Sequence, residues 1–555
     1  MQVENAGLID LTNAGTSTRD RFVIAGNYLG LSGNLNLQTY LGDDTSPSDQ
    51  LVLRGNGARA AGNTVINITN IDGPGAMTTG NGIRVVDAEF GTGARTDESA
   101  FRLGGPVGAG VFEYLLYYGG VGADANDNDW YLRSSVPEPP STEPPTTLPA
   151  PVPPLPSPPD PEPPLPEVPN PPDPTPLPEP IPTDPGEEPT PPEPTEPPPP
   201  TPPLPPAPLP PEPLPPAPPA PTPEQPPLVE TPLIRPEIPG YVVAPAIAQR
   251  MGIAALDRFH AREGDQSLLN ELGTASAGWG RLFGRSVDQS WAAEIGGLDF
   301  DLDPRFDGEI WGLQAGLDIL AEEDTLGAQN RVGIFFTHTA AHGHTSGTTL
   351  AQIDRESGSL TLNSESLGGY WTYVDPEGWY LDAVAMVSWL HGEAVSDRGI
   401  GADIWGHALL ASLEAGYPFA LNENWTIEPQ AQLIWQNVHL DDTEDQFSSI
   451  EYGALNGLTG RLGFRLEGDL EAGDVPVQPF ADVNFWHNFG SSYTATFNDR
   501  PVTTNVGGTS LELGAGLAAE ISPDVSLYGA VNYTMGLSGQ GNGGFGGHVG
   551  LRVSW

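Results

Sequence analysis

The chain has 555 residues, no cysteine, 72 acidic residues and 22 basic residues, all of them arginine. Its net charge of −50 argues against nucleic acid as a partner, because an acidic surface repels a phosphate backbone. No stretch reaches the roughly 18 consecutive apolar residues of a membrane-spanning helix. A membrane protein can therefore be predicted here only from strands.

Residues 1–135 are rich in glycine, asparagine and threonine, and they contain short strand-like runs separated by turns. The clearest runs are 21–25, 51–53, 64–68, 82–86 and 111–117. Such strands are too short to fold alone, and their fairly even spacing is typical of a stacked β-solenoid.

Residues 137–239 hold 52 of the 64 prolines and a single basic residue, Arg235. Proline fixes φ and donates no hydrogen bond, so we expect a disordered, extended polyproline II segment rather than a folded one. The repeated acidic residues would extend it further by repulsion. A stiff spacer is the preferred interpretation, and a ligand for small proline-binding domains is the alternative.

Residues 246–263 change to a helical pattern, in which apolar residues mix with Arg250, Arg258 and Arg262. We expect one helix, ended by Gly264.

From about residue 275 to 555 the sequence alternates between apolar and polar residues, which predicts strands with one face of each kind. Three aromatic pairs share a ten-residue spacing on one face: Trp379 with Trp389, Trp425 with Trp435, and Phe545 with Trp555. Ten tilted strand residues rise about 25 Å, the height of the apolar band of a membrane barrel. We therefore expect these aromatic residues to form the interfacial girdle. A soluble sandwich, whose strands also alternate, is the alternative.

Twelve strands can be counted in this region: 276–287, 305–320, 330–341, 357–374, 379–392, 403–418, 424–439, 450–467, 475–489, 509–521, 524–537 and 544–555. An even count, with short links after the even strands, predicts a barrel whose two ends lie on the periplasmic side. The faces assigned to the lumen carry Asp382, Glu428, Asp482 and Glu512. A guanidinium in a narrow lumen must be paired, so we expect at least one helix arginine to bind one of these carboxylates and hold the helix as a plug. The alternative is that all three arginines face lumen water.

Several stretches resemble the pertactin-like autotransporters of type V secretion. The N-terminal ones are Gly26-Asn-Tyr28, Leu41 to Leu53, Gly82 to Val86, Phe101-Arg-Leu103, Gly110 to Tyr114 and Asp129-Trp-Tyr-Leu-Arg133. This resemblance implies a right-handed β-helix whose end is an autochaperone, the part that folds first outside the cell. We expect its hydrophobic seed to comprise Phe112, Tyr114, Leu116, Trp130 and Leu132.

Leu256 to Asp265, followed by Trp279 to Gly284, resembles the start of an autotransporter translocator domain. The resemblance implies that the helix fills the pore of a twelve-stranded barrel. The chain end looks like the terminal assembly signal of such barrels, with Gly550, Leu551, Val553 and Trp555 as its residues.

The predicted fold class is therefore all-β. It combines a right-handed β-helix stub (1–135), a proline-rich disordered linker (136–240), a pore α-helix (241–265) and a twelve-stranded antiparallel transmembrane β-barrel (275–555).

Sequence motifs give no reason to predict an enzyme, a cofactor or a metal site. His338, His342 and His344 could bind a metal but lack a nearby cysteine or an evident fourth ligand. No Gly-x-Ser-x-Gly motif occurs, and no histidine precedes the linker. The helix also lacks the Asn-Asn pair at which some members of the family cut themselves.

The predicted function is export and surface display of the chain's own N-terminal passenger across the outer membrane of a Gram-negative bacterium, with an adhesin-like passenger. The expected partners are the outer-membrane bilayer, the barrel assembly machinery, periplasmic chaperones and host-cell or matrix ligands. A hydrolase passenger and a porin-like channel are the alternatives, although a porin needs neither a pore helix nor a spacer. The N-terminus has no signal peptide, so we expect the sequence to be the back end of a longer protein.

Overall fold

The N-terminal part is a stack of parallel strands. The computed structural model of the chain describes residues 1–89, 91–137, 230–264, 277–473, 475–490, 492–539 and 542–555. Its first strands are β1 Gln2–Asn5, β2 Leu8–Asp10, β3 Arg21–Ala25, β4 Asn27–Thr39, β5 Gln50–Arg54, β6 Arg59–Asn70, β7 Ile83–Ala88, β8 Arg95–Thr96 and β9 Phe101–Leu103. One ladder runs β1-β4-β6-β8, with β2 also on β4 and β9 on β6, and a second ladder runs β3-β5-β7. All of these pairs are parallel, as the predicted solenoid requires.

Antiparallel strands end this stack. They are β10 Gly108–Ala109, β11 Phe112–Glu113, β12 Leu115–Tyr118 and β13 Trp130–Arg133. The strands β12 and β13 form a hairpin, and β13 also pairs antiparallel with β7. This hairpin covers an edge that would otherwise offer unpaired backbone groups. We call residues 1–137 the stub.

The two ends of the proline-rich segment are joined. Strand β14 Ser135–Pro137 pairs antiparallel with β15 Glu230–Pro232, and Leu233, Ile234 and Arg235 are buried. The prediction of an unfolded linker up to residue 239 is therefore wrong for residues 230–239. Proline density hides this short apolar segment, since proline is tolerated in a two-stranded edge pair. The predicted extended conformation of 138–229 falls outside the described residues.

Two helices follow, α1 Ile238–Leu256 and α2 Phe259–Glu263. The prediction of a single helix over 246–263 is wrong at its start and in its continuity. Helix α1 begins earlier because Pro239 is compatible with a first helical turn. Asp257, at φ 52°, ends α1 and separates it from α2. Gly264 ends α2 at φ 83°, as predicted. In the part of the chain that the structure describes, no helix is long and apolar enough to cross a membrane.

The remaining chain consists of strands. They are β16 Ala277–Ser290, β17 Ala292–Ile295, β18 Arg305–Glu323, β19 Gln329–Thr349, β20 Gln352–Val374, β21 Tyr380–Ser396, β22 Gly401–Gly416, β23 Phe419–Ala420, β24 Trp425–Leu440, β25 Thr443–Glu444, β26 Ser449–Tyr452, β27 Leu455–Gly468, β28 Leu470–Ala472, β29 Val475–Asn488, β30 Ser492–Phe497, β31 Arg500–Asn505, β32 Gly508–Ser522, β33 Val525–Gly539 and β34 Asn542–Ser554. Twelve of them form one antiparallel sheet, in the order β16, β18, β19, β20, β21, β22, β24, β27, β29, β32, β33 and β34. Strand β34 also pairs with β16, which closes the sheet into a barrel. The predicted all-β fold with a twelve-stranded barrel is confirmed.

Strand alternation separates the two faces of this barrel. In β18, Trp311, Leu313 and Leu317 are exposed on the outside, while Gln314 between them is fully buried inside. An apolar outward face and a polar inward face are the arrangement of a barrel in a lipid bilayer.

Long loops at one end of the barrel form a second sheet, in the order β17-β31-β30-β26-β25. We call it the outer-loop sheet. The predicted single strand 450–467 is wrong here, because it divides at Gly453 into β26 of this sheet and β27 of the barrel. The buried positions are even-numbered in β26, at Ile450 and Tyr452, and odd-numbered in β27 from Leu455 to Arg465, so the alternation changes phase at this division.

Candidate functional site

The lumen of the barrel is occupied by the two helices. Ala277 and Ser554, the two ends of the barrel, pair with each other. In an even-stranded barrel this end is the periplasmic one. Helix α1 begins at the opposite, outer end, where the Tyr241 hydroxyl donates to Asp445 in an outer loop at 3.1 Å. Helix α2 lies toward the periplasmic end, where Phe259 packs on Tyr380 with ring centroids 4.7 Å apart.

Charged side chains of the strands line the lumen. Period-two alternation places them on the inward faces, where they are buried. Asp382, Glu414, Glu428, Asp482 and Glu512 supply negative charge, and Arg281, Arg331, Arg461, Arg465 and Arg552 supply positive charge.

Arg258 lies between two of the predicted carboxylates. It donates to Asp482 at 2.6 Å and approaches Glu512 at 4.0 Å. Glu512 is shared with Arg285, at 3.3 Å. Both partners of the Arg258–Asp482 pair are buried, so loss of either would leave an uncompensated charge.

Arg262 lies against a second predicted carboxylate. It donates to Asp382 at 2.7 Å, and Asp382 also accepts from the Thr372 hydroxyl. The guanidinium stands 5.1 Å from the centroid of the Tyr370 ring, a cation–π geometry. The Tyr528 hydroxyl donates to the Arg262 carbonyl at 2.7 Å, which fixes the backbone at the end of the helix.

Glu428 contacts a residue that the sequence reasoning did not consider. Its partner is His260, at 2.9 Å, rather than one of the three arginines. The helical position of His260, between Arg258 and Arg262, was the signal that could have identified it.

A further group at the break between the helices was also missed. Arg281 binds Asp257 at 2.8 Å, the Ala255 carbonyl at 2.8 Å and the Gln314 amide oxygen at 2.7 Å. Gln314 in turn donates to the Ala255 carbonyl at 2.9 Å. These donors satisfy carbonyls at the C-terminal end of α1, where no further helical turn can do so. The inward position of Arg281 in β16 was readable from the alternation, but its partner was not.

Arg250 differs from the other two helix arginines. Its side chain forms no ion pair within the described ranges, and it borders a cavity of about 110 Å³. Arg285, Glu512 and Trp486 are among the other residues that line this cavity. The structure therefore brings two of the three predicted arginines to carboxylates and leaves Arg250 beside open space.

The predicted girdle residues lie on the outward face. Trp389, Trp435 and Phe545 are exposed, and Trp379 and Trp425 are partly exposed. Their role in the interface stays a prediction.

The predicted assembly residues lie in or next to the closing strand. In β34, Leu551 and Val553 are exposed on the outside, Gly550 faces Arg281 in the adjacent strand, and Trp555 follows the strand with 69% of its surface exposed. Strand β34 pairs on both sides, so these residues belong to the seam that closes the barrel.

The predicted autochaperone seed is gathered in the stub. Phe112, Tyr114, Trp130 and Leu132 are buried, whereas Leu116 is partly buried against them. The Trp130 indole donates to the Thr96 hydroxyl at 2.8 Å. The Tyr114 hydroxyl contacts the Gly42 and Ala76 carbonyls, both at 2.9 Å, and burial raises the pKa of this phenol.

The three candidate metal-binding histidines lie apart from the lumen. His338 contacts Glu365 at 3.2 Å, His344 contacts Glu356 at 3.4 Å, and His342 contacts the Thr361 hydroxyl at 2.9 Å. Within the described ranges no group of three or more histidine, cysteine or acidic side chains is placed to hold a metal ion.

Comparison with known proteins matches both folded parts. The Autotransporter beta-domain family matches residues 278–532, and the Autochaperone Domain Type 1 family matches residues 2–116. The Adhesin BmaC autotransporter of Brucella suis is 26% identical, over 99% of this chain and 14% of its own length. The Pertactin autotransporter of Bordetella bronchiseptica is 30% identical, over 56% of this chain and 32% of its own length.

Among solved structures, the transport unit of the autotransporter AIDA-I from Escherichia coli is similar with a TM-score of 0.45 and 18% identity, covering 58% of this chain and 99% of that one. The chain spans about a third or less of the length of the two curated relatives. A barrel with a lipid-compatible outer face and an autochaperone-type stub thus agree with both family matches, and the chain belongs to the autotransporters, with its barrel in the outer membrane.

Proposed function

We propose that the barrel and its helices form the translocator that exports the preceding part of the chain and displays it on the cell surface. The path of the helices carries this proposal. The chain rises from the periplasmic end at Gly264, fills the lumen, and leaves at the outer end next to Asp445. Everything N-terminal to α1 is then attached to the outer side of the membrane.

The displayed part acts as an adhesin in this proposal. Supporting this, one relative that matches nearly the whole chain is named an adhesin. Parallel strands that stack into a solenoid also give an extended surface suited to binding host-cell or matrix ligands. The chain itself is proposed to carry no enzymatic activity. A hydrolase in the displayed part is the alternative.

Surface accessibility on intact cells tests the export. An epitope at the N-terminus should bind antibody on intact cells, whereas the same epitope in the short turn at Glu377, on the periplasmic side, should bind only after the outer membrane is permeabilised. An N-terminal epitope that also needs permeabilisation overturns the proposal. Attachment of the displaying cells to immobilised matrix protein then separates an adhesin from a hydrolase, which would cleave ester or peptide substrates without promoting attachment.

The barrel assembly machinery and periplasmic chaperones are proposed as partners of the unfolded barrel. Trp555 lies just beyond the closing strand and makes few contacts that a folded barrel needs, since most of its surface is exposed. Deletion of Trp555 should therefore lower the amount of protein in the outer membrane more than it lowers the stability of barrels that have folded. Membrane levels equal to those of the parent would contradict this role.

A further inference from the structure

An arginine of an outer loop joins three separate parts of the molecule. Arg398 lies in the turn between β21 and β22. It donates two hydrogen bonds to Glu113 of the stub, both of 2.8 Å. It also donates to Glu237, immediately before α1, at 2.8 and 3.0 Å. Both carboxylates are almost completely buried, so their charge depends on this one guanidinium and its neighbours.

Arg235 repeats the arrangement beside it. Its guanidinium is fully buried, binds Asp445 of an outer loop at 2.8 Å, and donates to the Gly110 carbonyl of the stub at 2.8 Å. The ring of Phe447 lies 5.0 Å from Arg235 and 5.9 Å from Arg398. Charged, aromatic and backbone groups of the stub and the outer loops therefore share one buried cluster.

Backbone pairing and apolar packing extend the same contact. The Glu113 amide donates to the Leu233 carbonyl at 2.8 Å, and the Leu350 amide of an outer loop donates to the Ile234 carbonyl at 2.9 Å. Phe112, Ile234, Ile238, Tyr241 and Phe497 are buried in one continuous core. The segment after the proline-rich stretch is thus sandwiched between the stub and the barrel loops.

A second contact lies on the outer-loop sheet. The Asn498 side chain donates to the Pro74 carbonyl of the stub at 3.2 Å. The Arg500 guanidinium stands 5.7 Å from the centroid of the Phe112 ring. The stub therefore also contacts the outer-loop sheet directly.

We propose that the stub docks directly on the outer loops of the barrel after export, with Arg398 as the latch between Glu113 and Glu237. Because Pro137 and Glu230 pair with each other, the residues between them begin and end at one place and do not set the distance of the stub from the membrane. In this arrangement the docked stub closes the outer mouth of the pore, and the linker does not act as the spacer predicted from the sequence. This inference rests on the proposed export.

Cleavage of the linker on intact cells tests the latch. A specific protease site inserted at Gly186 separates the stub from the barrel without touching any residue of the contact. In the parent, the cleaved stub should stay on the cells. In R398Q it should pass into the medium, because two buried carboxylates lose their shared partner. R355Q is the matched control, since Arg355 pairs with the partly exposed Asp397 next to the latch and should leave the stub in place.

A compensating variant guards against simple misfolding. The variant E113Q/E237Q/R398Q removes both carboxylates together with the guanidinium, so neither position keeps a buried charge that has lost Arg398. Part of the retention should therefore return, although the salt bridges are gone. Release from the parent as complete as from R398Q overturns the docking, and equal retention in all variants overturns the latch. Absence of the stub from the surface of every variant indicates failure of the export instead. Normal heat-modifiability of each barrel confirms that the cleavage is scored on folded protein.

Discussion

The outer region and the lumen below it are held together by different chemistry. In the outer region, which comprises the stub, α1 and the outer-loop sheet, Tyr241, Val242, Ile247 and Phe497 are completely buried in an apolar core that lies beside the charged cluster of Arg235 and Arg398. In the lumen around α2, Arg258, His260 and Arg262 contact strand carboxylates, and Phe259 packs on Tyr380. The surroundings of the helices thus change from largely apolar at the start of α1 to largely charged at α2.

The difference separates two tasks. Apolar packing is non-directional, so α1 and its surroundings can exclude water from the outer mouth without fixing a unique register. A buried ion pair is directional and costly to break, so Arg258 and Arg262 can fix where the helix stops. We infer that the outer region seals the pore and the lumen pairs set the position of the plug.

The largest expected effect concerns the apolar side of this comparison. Trp130→Ala should destabilise the stub by about 3–5 kcal/mol, because a buried aromatic ring is lost from its end. The packing of Trp130 on Phe101 and its hydrogen bond to Thr96 are lost together. Proteolysis of the displayed stub should accelerate strongly while the barrel keeps normal heat-modifiability. Unchanged proteolysis would remove the support for a folding seed at this site.

The substitution Arg258→Met removes the ion pair between Arg258 and Asp482 in the lumen. Asp482 would remain buried, and among the described residues only the Asn484 amide would still donate a hydrogen bond to it, so we expect a loss of about 3 kcal/mol, at the low end for a broken buried pair. Denaturant unfolding of the purified barrel in detergent, followed by tryptophan fluorescence, measures it, and planar bilayers should show more frequent openings. The double variant R258M/D482N should recover most of the loss. If the double variant is no better than R258M, packing rather than charge holds the helix.

The same comparison shows what the sequence could reveal. Barrel strands were predictable because alternation is written locally in each strand and one face meets lipid. The faces of Asp382 and Asp482 followed from it. Alternation does not give the height of a side chain in the lumen, so the partner of Glu428 and the open position of Arg250 did not follow.

Contacts made over long sequence distances were equally hidden. In the sequence, Arg235 is an isolated basic residue in a proline-rich stretch, and its partner Asp445 lies in a distant outer loop. Asp257 reads as one residue of a continuous helix until Arg281 is placed beside it. Each pairing depends on which loop or strand passes nearby, which only the closed barrel determines.

Glu113 gives a smaller effect, on the pH dependence of stub docking within the outer region. Burial raises the pKa of Glu113, and the like charge of Glu237 also raises it. Arg398 and Arg235 lower the pKa, but they do not cancel the effect of burial. The docked stub therefore binds this proton more tightly than a solvated stub would. Its contribution to docking is complete below the ordinary glutamate pKa and is lost as pH rises through the raised value. Less cleaved stub should be released at pH 5 than at pH 8.

The variant E113Q isolates this contribution. Glutamine keeps the size of the side chain and still accepts a hydrogen bond from Arg398, so the substitution alone should cost about 1 kcal/mol or less. The difference in release between pH 5 and pH 8 should shrink in E113Q. A parent stub that is released more readily on acidification, with E113Q unaffected, would reverse the sign argued here.

The smallest expected effect concerns Arg250. It lies in α1, which belongs to the outer region, whereas Arg258 and Arg262 belong to the lumen region. Unlike Arg258 and Arg262, it forms no ion pair within the described residues and borders the cavity that Arg285 also lines. Because Arg250 is partly exposed and its replacement breaks no ion pair of the described residues, the unfolding free energy should change less than in the Arg258 or Arg262 variants. R250Q should therefore leave the channel as closed as the parent in planar bilayers, whereas R258Q and R262Q should each give more frequent openings. Openings in R250Q as frequent as in R258Q would show that the plug is held by total positive charge in the lumen rather than by the two specific pairs.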